Sequence, residues 1–450
     1  MIINKTMTTW KKLITLIAIL LCCDCSIQKQ EKKEPTDYYE TKPDIEEEPE
    51  EPIIEKFEHK IHSEYVKSLQ VGIPSIQIGE PCISISNNEN IQINFDLIQE
   101  DPSPVQYEII HCDINWERSD LMDMEFINGF TTNYIENYQL SYGPIDQYVH
   151  YDFNLPNENI EFLKSGNYIV KIYYENESNN PLMTIKIFVS EQSSTINFSL
   201  LPTNDMEQKK YLQAYELSCS FDPNKVDDPY SNLFVNIQQN HQEFDQQWIS
   251  QPNFIRENSI VYLPNDDRIF NGGNEYRFFD ISSFRSGSQK VNKISFEDNS
   301  YQIILKKEPK RSYKQYLEYK DLDGKFFIRS YDCSVAETQA EYGIVHFELP
   351  MKKISNQDIY IFGQLSNWST DEKYKMQYDS IKQTYFKNIL LKQGHYNYLY
   401  VTKDQNGIST RTLEGAHYDA NNEYIIKLYY RDPIGLYDRL LAYQVFKINT

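Results

Sequence analysis

Ile91-Gln92-Ile93-Asn94-Phe95-Asp96-Leu97 alternates apolar and polar side chains without a break. Successive side chains of a strand point to opposite faces, so Ile91, Ile93, Phe95 and Leu97 are expected against a core and Gln92, Asn94 and Asp96 in water. Tyr168-Val170-Ile172-Tyr174 and Ile185-Ile187-Val189 repeat the pattern across the turn-like 175–181 segment. With Ile76 and Ile78 as its opening, this set predicts an immunoglobulin-like sandwich over residues 75–191.

The same signal continues downstream. Ile196-Phe198-Leu200, Tyr211 to Phe221, Leu233-Val235-Ile237, Ile260 to Leu263 and Tyr301 to Leu305 predict a second sandwich over 192–310. Ile344 to Leu349, Ile359 to Phe362, Tyr396 to Val401 and Tyr424 to Tyr430 predict a third over 311–450. No long apolar run at helical spacing follows the N-terminal segment, so an α/β enzyme core is hard to assemble. The expected fold class is all-β, a tandem row of immunoglobulin-like or E-set β-sandwiches.

Composition agrees with that reading. A chain of 450 residues exceeds what one core serves. With 36 Tyr and 23 Phe against 15 Gly, it is rich in residues suited to a half-buried pleated surface. A formal net charge of −22 repels phosphate backbones and argues against nucleic acid as a partner.

The N-terminus reads as an export signal. Lys11 and Lys12 precede an apolar stretch from Leu13 to Leu21, too short to be retained as a membrane span. Leu20-Leu21-Cys22-Cys23 resembles a lipoprotein box, which makes 1–22 the signal and Cys23 the lipidated residue. Cys22 and Cys25 are alternative acceptors, and an ordinary signal peptide with incidental cysteines is the alternative to lipidation. Residues 23–74 are expected to form an acidic, proline-rich linker, marked by Glu46-Glu47-Glu48-Pro49-Glu50-Glu51, extended by proline and by self-repulsion. Cys82, Cys112, Cys219 and Cys333 stand singly, which suits free thiols better than a disulfide framework or a zinc site.

Candidate chemistry is sparse. His111, Cys112 and Asp113 are adjacent on an expected strand, so they cannot share one face as nucleophile and base. Trp116 is expected as a sandwich-core anchor. Asp321-Leu322-Asp323-Gly324 resembles the start of a calcium loop but lacks the later ligands, and reads as a polar turn. No catalytic residue, metal ligand or cofactor is assigned. Gly272-Gly273-Asn274-Glu275-Tyr276-Arg277 sets paired glycines beside aromatic and charged residues, and is a candidate partner-binding segment or a hairpin turn. Gly363-Gln364-Leu365-Ser366-Asn367-Trp368 resembles starch-binding sandwich modules, which makes Trp368 a candidate glycan-binding residue.

Three stretches in this order, Tyr107 to Trp116 (YEIIHCDINW), Phe126 to Tyr138 (FINGFTTNYIENY) with Leu163 to Tyr173 (LKSGNYIVKIY), and Phe270 to Asp280 (FNGGNEYRFFD), resemble the plug protein family of the type IX secretion system of Bacteroidota. One departure is Asn271, where the family leads one to expect proline. The resemblance implies a non-enzymatic protein at the periplasmic face of the outer membrane. Its partner would be a large outer-membrane β-barrel translocon, which it would plug when no cargo is engaged. A lipid on Cys23 would hold it beside that membrane. The alternative is a glycan-binding envelope lipoprotein.

Overall fold

In the computed structural model, which describes residues 55–448 apart from 75–77 and 88, Ile91–Leu97 is a strand. Ile91, Ile93, Phe95 and Leu97 are fully buried in one core. Burial of these four side chains contributes on the order of 6–12 kcal/mol before the entropy of ordering them is counted. The strand pairs antiparallel with Val66–Gly72 on one side and Val149–Leu155 on the other, and Tyr138–Leu140 closes that sheet. The facing sheet runs Lys60–Ile61, Met183–Ser190, Gly166–Tyr174, Val105–Cys112 and Thr132–Tyr134, with Cys82–Ser84 added in parallel. Together the two sheets form the first sandwich.

Its start differs from the expected linker over 23–74. Lys60–Ile61 and Val66–Gly72 already belong to the sandwich. The alternation there is hidden by an irregularity between Lys67 and Gln70, with Ser68 at φ 51, so Val66 and Leu69 fall out of period two. Asp96 also departs from expectation, because it faces away from its own core yet is only 1% exposed. The third sandwich covers it.

The boundaries expected at 192–310 and 311–450 are corrected as well. The second sandwich packs the sheet Ile196–Pro202, Leu212–Ser220, Ser259–Tyr262 and Phe254–Arg256 against Gln247–Ile249, Leu233–Gln239, Asn422–Asp432 and Tyr437–Ile448. Its last two strands therefore come from the far C-terminal part of the chain. The third sandwich is inserted before them, with Arg277–Asp280, Gly394–Asp404, Phe326–Ile328 and Asp358–Phe362 in one sheet. The other sheet holds Val291–Glu297, Ser300–Leu305, Tyr342–Pro350, Thr384–Lys392 and Gln377–Asp379. Sequence order gave no sign of this, because Leu233–Gln239 pairs with Asn422–Asp432 through contacts that only the folded chain makes.

The all-β expectation holds: among the described residues each α-helix is a single four-residue turn. No helix among them is long and apolar enough to cross a membrane. The signal segment, Cys22, Cys23, Cys25 and the acidic run before residue 55 lie outside the described residues.

The three sandwiches meet through buried groups. Between the first and third, Lys392 donates to Asp96 at 2.7 Å, and Asp96 also accepts from Tyr342 at 2.6 Å and His150 at 2.7 Å. Between the first and second, Ile114 and Phe188 pack with Ile425, Tyr429, Leu440 and Tyr443. Between the second and third, Phe244 meets the ring of Phe362.

Candidate functional site

Two edge strands make one flank of the first sandwich. Thr132–Tyr134 ends one sheet and Tyr138–Leu140 ends the other, and only residues 135–137 separate them in the chain. Ile135 pins the crossing, being buried with its N–H donated to the Val105 carbonyl at 2.9 Å. Asn137 donates to Asp152 at 2.7 Å, and Tyr134 donates its hydroxyl to Glu175. The base of the flank is thus held firmly.

Its outer surface sets exposed apolar side chains among polar and acidic ones such as Asp123, Glu125 and Glu136. Phe130 is 75% exposed and Tyr142 79%, with Tyr134, Tyr138 and Leu140 also exposed. Met122 and Met124 stand out beside them and border a shallow depression completed by Ile127, Gly129 and Leu163. Gly129 allows that rim to form, because at φ +123 its Cα passes so near Asn159 that a Cβ would lie 1.9 Å from the carbonyl oxygen. Exposed edges rich in aromatic residues are uncommon on a strand that has nothing to meet, and these two adjoining edges make the flank the candidate site. The methionines add side chains that adapt to an uneven partner.

The sequence holds a signal for this flank that strand alternation does not single out. Phe126, Phe130, Tyr134, Tyr138 and Tyr142 recur every fourth residue. In extended chain a spacing of four keeps side chains on one face. Phe126 is buried, and the other four are exposed.

Gly272 to Arg277, expected as a partner-binding segment, lie instead where the chain crosses from the second sandwich to the third. The Gly272 carbonyl accepts from the Asn422 side chain at 2.7 Å, and a Cβ on Gly272 would lie 1.9 Å from the His417 carbonyl oxygen. Gly273, at φ +74, accepts from the His417 N–H at 2.9 Å. Asn274 donates to the Glu414 carbonyl at 2.8 Å. Glu275, Tyr276 and Arg277 are 3%, 2% and 2% exposed. Glu275 accepts from Tyr316, and Tyr276 donates its N–H to Asp321. Arg277 pairs with Glu414 at 2.9 Å and Glu308 at 3.2 Å and lies over the Tyr400 ring. Burial alone would raise the Glu414 carboxyl, but the Arg277 and Arg311 guanidinium groups hold it down at about 2. The glycines and charges of this segment serve a close crossing of backbones, not a docking face.

Trp368 also faces inward. Its indole stacks on His241 at 5.1 Å and meets the rings of Tyr276 and Phe362 edge-on. Trp116 is likewise outside the first sandwich's main core, half-buried at the junction with the second, under the Lys186 ammonium at 4.6 Å. Nearby, Glu80, His241 and Glu423 bring ligand atoms within 4.8 Å of one another. Lys325 sits among them, however, at 2.7 Å from Glu80 and 3.1 Å from Glu423, so the group is an ion-pair network tying the three sandwiches. Burial opposes the charge on Glu423, but the hydrogen bond from His241 and the charge of Lys325 hold its carboxyl at about 2.

The remaining candidates have structural roles. His111 faces Tyr168 and Phe126, hydrogen-bonds Ser119 at 2.8 Å and is brought down to about 4 by burial. Cys112 points the opposite way, into a cluster with Ile110 and Ile169, and burial pushes its thiol up to about 12. A thiol so protonated is a poor nucleophile. Cys82, Cys112, Cys219 and Cys333 are all free. Asp321 accepts from the Asp323 N–H at 2.8 Å and Gly324 turns at φ +83, which makes the calcium-like segment a polar turn.

Residues 66–191 match the family model described as "Type 9 secretion system plug protein 1st domain". The crystal structure of a hypothetical protein from Parabacteroides merdae ATCC 43184 is 33% identical, with a TM-score of 0.84 over 87% of this chain and 100% of that one. No curated protein matches the chain.

Proposed function

The chain belongs to the type IX secretion system plug protein family, and from that premise we propose that it docks on the periplasmic side of a large outer-membrane β-barrel translocon and closes it. The observation that supports this reading is the flank over residues 122–142, where exposed aromatic and methionine side chains stand on a pinned pair of edge strands. A stopper needs a body that does not deform. Three cores joined by buried ion pairs supply one, with Asp96–Lys392 and Glu80–Lys325–Glu423 across the seams. Aromatic anchors carry a large share of the energy in protein interfaces, and the chain's acidic remainder resists unspecific association. In this reading the protein is non-enzymatic and lies at the periplasmic face, held near its partner by a lipid on Cys23.

The triple variant Phe130→Ser, Leu140→Ser and Tyr142→Ser tests it. Co-purification with the barrel from detergent-solubilised outer membrane should fall at least tenfold, cells should admit large antibiotics, and thermal unfolding should stay near that of the parent. Unchanged co-purification and an intact barrier in a correctly folded variant would overturn the assignment. The glycan reading finds less support, since one face of the Trp368 indole is already covered by His241.

A further inference from the structure

Where the three sandwiches converge they leave a cavity of about 140 Å³. Trp116 and Phe188 of the first, Gln238 and Lys427 of the second, and Asn367 and Trp368 of the third line it. Lys427 is there because of strand register. In Asn422–Asp432, Ile426 and Leu428 face the core of the second sandwich, so Ile425, Lys427 and Tyr429 face the first. Two of those three are apolar, as a packed seam demands, and the third is an ammonium.

That ammonium is the least satisfied of the buried cations described here: Arg268 also has no carboxylate partner among the described residues, but it donates to the Asn253 side chain and to the Leu263 and Gln251 carbonyls. Lys392 touches Asp96 at 2.7 Å, Lys325 touches Glu80 at 2.7 Å, and Arg277 touches Glu414 at 2.9 Å. Lys427, 5% exposed, meets only the Gln238 side-chain oxygen at 3.4 Å and the Phe188 ring at 4.9 Å. Among the described residues it has no ion pair. Glu243, the acid whose charge acts on it most, is bound to Lys186 at 2.9 Å. A buried charge without a counter-charge is costly, and it is relieved by polar partners, by loss of the proton or by an anion from outside.

We infer that this cavity binds a small ligand with one carboxylate on a flat apolar body, the carboxylate on Lys427 Nζ and the body between Trp116, Phe188 and Trp368. The size agrees, since a cavity of roughly 150 Å³ accommodates benzene. Burial brings the Lys427 amine down to about 8, low enough for the empty site to be sensitive to mild alkali. The anion could be a free small acid or the carboxyl end of a polypeptide, and the chemistry at Lys427 is the same for both.

Isothermal titration of the intact folded chain with benzoate, benzamide and N-acetylphenylalanine tests the inference. Benzoate should bind saturably and at least tenfold more tightly than benzamide, and that preference should fall as the pH is raised beyond about 8. In Lys427→Met the preference should drop to about one. Tighter binding of N-acetylphenylalanine than of benzoate would indicate a chain terminus as the source, and weaker binding a free acid. Equal affinity for benzoate and benzamide, or binding of neither, overturns the inference on the parent protein alone. A preference surviving in Lys427→Met overturns it equally.

Discussion

Replacing Lys392 by Met puts the seam between the first and third sandwiches under the most direct load. Lys392 and Asp96 are each 1% exposed and 2.7 Å apart, so solvent screens their attraction little. The ammonium also donates to the Glu337 carbonyl at 2.6 Å and lies 4.0 Å above the Tyr148 ring. The variant leaves the Asp96 carboxylate with donors from Tyr342 and His150 but without the ammonium beside it. Removing one partner of a buried pair costs about 3–5 kcal/mol. Burial would raise the Asp96 carboxyl, but the charge of Lys392 and the hydrogen bond from His150 hold it below the ordinary carboxylate value. The pair's contribution is therefore complete above about pH 4 and disappears as the pH falls through the lower folded value. Urea unfolding at pH 7 should show the full loss, and the gap to the parent should narrow below pH 4. The double variant Asp96→Asn with Lys392→Met should recover most of the loss, since no unpaired charge remains. A single variant within 1 kcal/mol of the parent at pH 7, or a double variant no better than the single, would refute this account.

Gly272→Ala should destabilise the protein by about 3 kcal/mol or more or leave it insoluble, because the new methyl meets the His417 carbonyl. Gly287→Ala, which opens onto empty space, should stay within about 0.5 kcal/mol, and equal melting of the two variants would contradict the close crossing. Burial lowers the His241 imidazole and Lys325 adds to this, but the charge of Glu80 and the hydrogen bonds to Glu423 and Glu80 together outweigh both and leave it above the ordinary value. Its contribution is then complete below about pH 6.5 and lost as the pH rises through the higher folded value. The stability advantage of the parent over His241→Gln should shrink between pH 6 and pH 9 in urea titrations, and a constant difference would rule that out.

How much of this was legible depended on whether a residue answers to its neighbours in sequence or to distant ones. Ile91–Leu97, Leu233–Gln239 and Tyr342–Pro350 announce themselves as strands, since a core on one face imposes alternation on the chain itself. Val66–Gly72 escaped because an irregularity breaks its period. The membership of Asn422–Asp432 in the second sandwich could not be read from spacing, as its hydrogen-bond partner lies before the whole inserted sandwich. At the candidate site the outcome reversed. Gly-Gly beside Arg277 reads equally as a binding segment or a hairpin turn and lies at an internal crossing, since a glycine that admits a ligand, one that turns the chain and one that admits a neighbouring backbone look alike in sequence. The flank did leave a trace, in aromatic residues spaced by four, but exposure itself is a property of what fails to cover them. Lys427 could be found only in three dimensions, because its neighbours come from three separate cores.

Closing the second sandwich with Asn422–Asp432 and Tyr437–Ile448 has a consequence for biogenesis. As the chain emerges from a ribosome or an export channel, Leu233–Gln239 waits with one edge unfilled until Asn422–Asp432 has appeared, after the whole inserted sandwich. Until then it offers a hydrogen-bonding slot to any passing strand, which makes a stalled chain a client for chaperones. Proteolytic trimming near the C-terminus should accordingly unravel the middle of the molecule before its tip, whereas the inserted sandwich, sealed within one continuous span, should outlast it.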